Sequence, residues 1–214
     1  MAEPLPFSAE DFRRRVAERL LAGPGEAMGD HSFNPEIADL LLRMERRQAA
    51  VLVPVIHREP EATLLLTLRT GGLKSHAGQI AFPGGRIDEG DAGPESAALR
   101  EAEEEIGLDP RFVETLCRAP DYLTGSGYHV TPVIAIVRPG FTLSLNPAEV
   151  ADAFEVPLAF LMDPKNHRRG SRVWNGATRY FFEMPYEDRN IWGITAGIVR
   201  VLYDRLYGGE SSPW

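Results

Sequence analysis

Residues 84–108 read "GGRIDEGDAGPESAALREAEEEIGL", and their second half has the marks of a helix over 94–106. Pro94 suits a first turn, and Gly107 suits a left-handed stop at the C-terminus. Ala98, Ala102 and Ile106 fall on one side, small and apolar enough to pack on a sheet. Glu101, Glu104 and Glu105 are spaced i, i+3, i+4 and share another side, whereas Glu103 lies about 200° around from Glu101. Like charges at that spacing repel by roughly a few tenths of a kcal/mol, and anions in the last turn cost ~0.3–1 kcal/mol more. Two explanations stand. One is a solvated acidic face; the other is a divalent cation, whose hard-oxygen preference turns both costs into attraction.

The first half of the stretch is a flexible, glycine-rich turn directly before the acidic helix. Such backbone lets carbonyls or N–H groups come close to a metal or a phosphate. It is not a phosphate-binding GxxxxGK[ST] loop, and no GxGxxG follows a strand. A glycine loop joined to an acidic helix face is an arrangement for phosphate and metal together.

Outward from this stretch, "AAVLVPVIH" (49–57) and "ATLLLTLR" (62–69) read as strands joined by a hairpin loop, "REPE". Both are apolar on both faces, which predicts a sheet covered on each side. "FVETLCRA" (112–119) and "YHVTPVIAIVR" (128–138) are further strands, and "NPAEVADAFEVPLAFLM" (146–162) runs from a loop into a strand and a short helix. "SRVWNGATRYFFEM" (171–184) reads as a hairpin turned at Asn175-Gly176. Thr195 is placed to cap a last helix stopped by Gly208. Upstream, Ser8 and Asp11 resemble a capping box for a helix over 9–22, and Asn34-Pro35 opens a second, "EIADLLLRMERRQ". The fold class implied is α/β: a mixed sheet between helices, with an N-terminal two-helix extension. The expected divisions are 1–48 for the extension, 49–208 for the main domain and 209–214 for a tail.

Composition limits the partners. The 214 residues carry a net charge of −8 and include 43% hydrophobic residues, so no basic stripe suits nucleic acid or an anionic membrane. Cys117 is the only cysteine, which excludes an intrachain disulfide. The five histidines never form HExxH. The N-terminus lacks the basic start and apolar run of a signal peptide, and no apolar run approaches the ~18 residues of a membrane span. A cytoplasmic protein is the expectation.

The stretch 84–108 resembles the Nudix box, in which a glycine, five residues, a glutamate and seven residues precede Arg-Glu-aliphatic-x-Glu-Glu-x-Gly-aliphatic. Arg100, Glu101, Glu104, Glu105, Gly107 and Leu108 match in order. The first half departs: five residues after Gly85 stands Asp91 rather than Glu, eight rather than seven then lead to Arg100, and Ala102 is small for an aliphatic position. Just upstream, "LLTLRTGGLKSHAGQIAFPGG" (65–85) is similar to the signature of Nudix enzymes that hydrolyse coenzyme A, matching at Leu65, Leu66, Thr67, Arg69, Gly78, Phe82, Pro83, Gly84 and Gly85. Thr70 replaces Ser/Ala and Lys74 replaces Arg. That subgroup tends to carry the longer box with Asp.

The resemblance implies a Nudix-type α/β/α sandwich and a water attacking a phosphorus of a diphosphate, with Mg²⁺ or Mn²⁺ as cofactor. Coenzyme A or an acyl derivative would give 3′,5′-ADP and (acyl-)4′-phosphopantetheine. Glu101, Glu104 and Glu105 would ligate metal, with the Gly84 carbonyl a further oxygen, and Arg100 would orient the glutamates while engaging Asp91. Arg69, Lys74, His76, Phe82 and Gly85 would line the substrate, the cations with water-facing strand-end charges as the alternative. Glu149 is the preferred general base, with Asp121 and Asp152 as alternatives; His129 is expected to be structural. Two rivals stay open: a Nudix hydrolase of another nucleoside diphosphate derivative such as ADP-ribose, and a silent nucleotide-binding module. Residues 1–48 are expected to cap the site, form a homodimer contact or simply pack.

Overall fold

Helix α1, Ala9–Arg19, begins where Ser8 Oγ accepts the Asp11 N–H at 3.2 Å, as its sequence implies. The computed structural model describes residues 3–21, 23, 25–72, 76–174 and 176–208, so Lys74, Asn175 and the tail 209–214 lie outside the described residues. Next come β1 (Met28–Gly29), α2 (Asp30–Phe33), a 3₁₀ turn Pro35–Ile37, α3 (Ala38–Arg43), β2 (Arg47–Ile56) and β3 (Thr63–Arg69). β4 (Ile80–Ala81), β5 (Gly84–Arg86) and α4 (Pro94–Ile106) follow, then β6 (Val113–Arg118), β7 (Tyr122–Leu123), β8 (Tyr128–Val137) and β9 (Val150–Pro157). The chain closes with α5 (Leu158–Leu161), β10 (Arg168–Trp174), β11 (Ala177–Tyr186), β12 (Arg189–Trp192) and α6 (Ile194–Leu206).

The second N-terminal helix is not the single run 35–48. It breaks into the 3₁₀ turn and α3, and Arg47 already belongs to β2. Two tertiary demands override local helix preference. Arg47 and Gln48 pair with Tyr128 and His129 of β8, and Asn34 closes the edge of β11 instead of capping a helix. Its Oδ1 accepts the Tyr180 N–H at 2.8 Å, and its Nδ2 donates to the Tyr180 carbonyl at 3.2 Å.

The main sheet is mixed. β2 runs parallel to β8 over ten residue pairs and antiparallel to β3 and β5, while β3 pairs antiparallel with β4 and β9. Both faces are covered. Ala50, Leu52, Leu65 and Val133 pack beneath Ala97, Ala98, Ala102 and Ile106 of α4. Val53, Leu64, Leu66 and Ile134 pack on the other face with α1, α6 and the small β10–β12 sheet. The result is the expected α/β/α layering.

The N-terminal helix shares this second core. Phe12, Val16 and Leu20 are buried with Leu202 and Leu206 of α6, and Arg15 Nη1 donates to the Leu206 carbonyl at 3.1 Å. At the other end, Thr195 is not the cap of α6. It lies inside the helix, and its hydroxyl donates to the Ile80 carbonyl at 2.9 Å, tying α6 to β4.

Candidate functional site

α4 occupies the expected residues, and local chemistry sets its end. Gly107 adopts φ +65°, its N–H donates to the Glu103 carbonyl at 2.9 Å, and the Leu108 N–H reaches Ala102 at 3.3 Å. A side chain at 107 would be strained at that φ. With Ala98, Ala102 and Ile106 anchored on the sheet, Glu101 and Glu105 reach Gly85 and Gly84 of β5.

Their exposure is graded rather than uniform. Glu105 is 2% exposed, Glu101 16% and Glu104 55% by side chain. Glu105 Oε2 accepts the Gly84 N–H at 3.2 Å, and its Oε1 lies 3.4 Å from Arg69 Nη1. Burial pushes its carboxyl up to about 7, because these two contacts only partly replace water. Glu101 lies flat against Gly85: a Cβ there would stand 2.5 Å from Glu101 Oε1, so glycine is what permits the approach. Burial also raises the Glu101 carboxyl, against the pull of Arg100, and the charges of Glu104 and Glu149 push the same way.

Arg100 serves several carboxylates at once. It binds Asp91 in bidentate fashion at 3.0 and 2.9 Å, and its Nη1 donates to Glu101 at 3.1 Å and to Glu104 at 3.0 Å. The hydrogen bond from Arg100 holds the Asp91 carboxyl below its ordinary range. Asp91 therefore takes the place beside Arg100 that the box pattern gives to a glutamate one residue closer in sequence.

Glu149 joins from the loop before β9. Its carbonyl accepts the Thr70 N–H at 2.9 Å, next to Arg69, and its charge is felt by both Glu101 and Glu105. The structure thus gathers Arg69, Gly84, Gly85, Glu101, Glu105 and Glu149, with Arg100 and Glu104 on the outer side. Phe82 does not join them: it is 3% exposed, in the core on the α6 face of the sheet, where it packs rather than meets a ligand. His76 is exposed, with Nδ1 2.7 Å from Gln79 Oε1. Asp121 is taken by His129 at 2.7 Å and Thr131 at 2.8 Å, and Asp152 by Arg189 at 2.8 Å. One contributor had no motif to announce it: Asn146, whose Nδ2 donates to Glu149 Oε1 at 3.2 Å. Its only sequence signal is the Asn-Pro turn.

A Nudix domain model matches residues 46–174, more than half the chain. The chain belongs to the Nudix hydrolase family. This Nudix hydrolase is 44% identical over 167 residues to a Cronobacter sakazakii protein called uncharacterized Nudix hydrolase NudL, a match covering 74% of this chain and 82% of that one. It is 40% identical over 195 residues to the protein of the same name from Klebsiella pneumoniae, covering 82% and 96%. A solved structure from Deinococcus radiodurans matches with a TM-score of 0.50 at 15% identity, covering 75% of this chain and 85% of that one, a likeness of fold alone.

Nudix hydrolases bind small nucleotide substrates and generally use divalent metal ions. The donor set fits such an ion: hard carboxylate oxygens, with the buried one held away from its charged form until a cation compensates it. A second group of potential ligands, Glu10, His57 and Glu59, gathers at the far end of β2, with His57 Nε2 3.4 and 3.2 Å from the two acids. Its acids are exposed, and nothing else there points to an ion.

Proposed function

We propose that this enzyme hydrolyses the diphosphate of coenzyme A or its acyl derivatives, giving 3′,5′-ADP and (acyl-)4′-phosphopantetheine. The observation that carries the reading is the contact between its two motifs. Arg69, from the run similar to coenzyme A hydrolases, points its guanidinium at Glu105, from the Nudix box, at 3.4 Å. A cation of the first motif therefore stands beside the carboxylates of the second.

In this reading Glu101, Glu104 and Glu105 hold Mg²⁺ or Mn²⁺, with the Gly84 carbonyl as a further donor. The bound ion supplies charge neutralisation at the phosphoryl oxygens and acidity to a water. Glu149 takes the proton of the attacking water. Arg69, with Lys74 and His76 further along the sequence, donates to phosphate oxygens. Gly85 keeps the floor beside Glu101 clear, and Arg100 holds Glu101 and Glu104 against their mutual repulsion. Water adds to one phosphorus, the bridging P–O bond breaks, and the other phosphate leaves; no covalent enzyme intermediate is needed.

Coenzyme A, acetyl-CoA, ADP-ribose and dinucleoside polyphosphates, incubated with the protein and Mg²⁺ or Mn²⁺ and analysed by mass, test this. Fastest turnover of a coenzyme A species, with the two products above, is expected. No coenzyme A cleavage beside fast cleavage of ADP-ribose would replace the substrate, and no cleavage of any would favour a silent binding module.

A further inference from the structure

Asn146 stands where the loop before β9 meets the end of α4. Its backbone N–H donates to the Glu105 carbonyl at 2.9 Å, one of the terminal α4 carbonyls that lack a partner within the helix. Its own carbonyl accepts the N–H groups of Glu149 at 3.0 Å and Val150 at 2.9 Å. The side chain divides its two ends. Oδ1 accepts the Ala148 N–H at 3.2 Å, an ordinary Asx turn, while Nδ2 donates to Glu149 Oε1 at 3.2 Å.

The turn needs only the oxygen. The amide nitrogen does something else: it holds a carboxylate whose neighbours repel it. The charge of Glu149 raises the carboxyls of Glu101 and Glu105, and a half-exposed glutamate side chain with three rotatable bonds is free to swing into water. We propose that Asn146 is a positioning residue for the reaction, its amide fixing the Glu149 carboxylate at the cluster while its backbone ties that loop to the acidic helix. This rests on the reading of Glu149 as the base.

The substrate turned over fastest in the panel above serves as the probe, with Mn²⁺. Asn146→Ser keeps a short acceptor for the Ala148 N–H but no amide that reaches Glu149; Asn146→Asp keeps the acceptor and replaces the donor with a negative charge. Each is measured alone and combined with Glu149→Gln. Glu149→Gln is expected to lower kcat about 100-fold. Asn146→Ser should lower kcat about 10-fold, the scale of one hydrogen bond to a charged group. KM and calorimetric Mn²⁺ affinity should stay within about twofold, and Asn146→Asp should be slower still. On the Glu149→Gln background Asn146→Ser should add nothing, because the group it positions is gone. Full kcat in Asn146→Ser beside a slow Glu149→Gln overturns the inference alone, as does an additive fall in the double variant. Near-normal kcat in Glu149→Gln overturns the reading of Glu149 beneath it.

Discussion

Helices α1 and α4 each place a carboxylate in the interior and treat it in opposite ways. Asp11, 3% exposed by side chain, receives Arg14 at 2.7 Å, Arg15 at 2.9 Å and the Phe7 N–H at 3.2 Å. Burial alone would push it up, but hydrogen bonds from Arg15, Arg14 and Phe7 outweigh burial and hold it below its ordinary range. Glu105, equally buried, has one backbone N–H and one guanidinium at 3.4 Å, and it goes up to about 7. An acid that serves the fold is over-supplied with donors. Glu105, the acid that the proposed function gives to a metal ion, is left short of them, and the metal-free protein carries that cost.

The largest test of this contrast is Glu104→Gln. Glu104 is exposed and contributes little to packing, so the variant should fold normally while kcat falls at least about 100-fold, the scale of a lost charge-stabilising group. Normal turnover would remove it from the metal site. Second is Asp11→Asn, which takes the charge from a site with two guanidinium donors. It should cost about 2 kcal/mol, read as a melting temperature lower by about 6 °C, with kcat unchanged.

Glu105→Gln should move stability the other way. Removing an under-compensated buried charge should raise the metal-free melting temperature at pH 8 by about 3 °C while activity is lost. A fall as large as that of Asp11→Asn would break the contrast. The last test is the pH dependence of Asp11. Its folded pKa is depressed, so its contribution is present above the unfolded value of about 3.9 and is lost as pH falls through the folded one. The gap in denaturant midpoint between wild type and Asp11→Asn should therefore hold from pH 8 to 5 and close in stronger acid.

Legibility in the sequence followed the range of the forces involved. α4 was readable to its last residue, because Pro94, Gly107 and the alternation of alanine with glutamate act within a turn or two. Arg100 with Asp91 was legible only through the resemblance to the Nudix box, and the strands 63–69 and 128–137 announced themselves by apolar runs. The helix expected over 35–48 was not, because Asn34 and Arg47 are claimed by β11 and β8, strands far along the chain. Phe82, picked out with the glycines that follow it, belongs to the opposite face, since side chains alternate across a strand-like segment.

The sequence by itself determined where the charges sit along α4 and that Gly84 and Gly85 precede them. Spacing and backbone freedom are local properties, written in adjacent residues. Only the tertiary structure decided that Glu105 is buried and short of donors while Glu104 is wet, and that Arg69 and Glu149 come to the same carboxylates from strand ends 80 residues apart. It also decided that Asn146 holds one of them. Burial and convergence depend on which distant strands close over a side chain, and that is settled by the packing of the whole sheet.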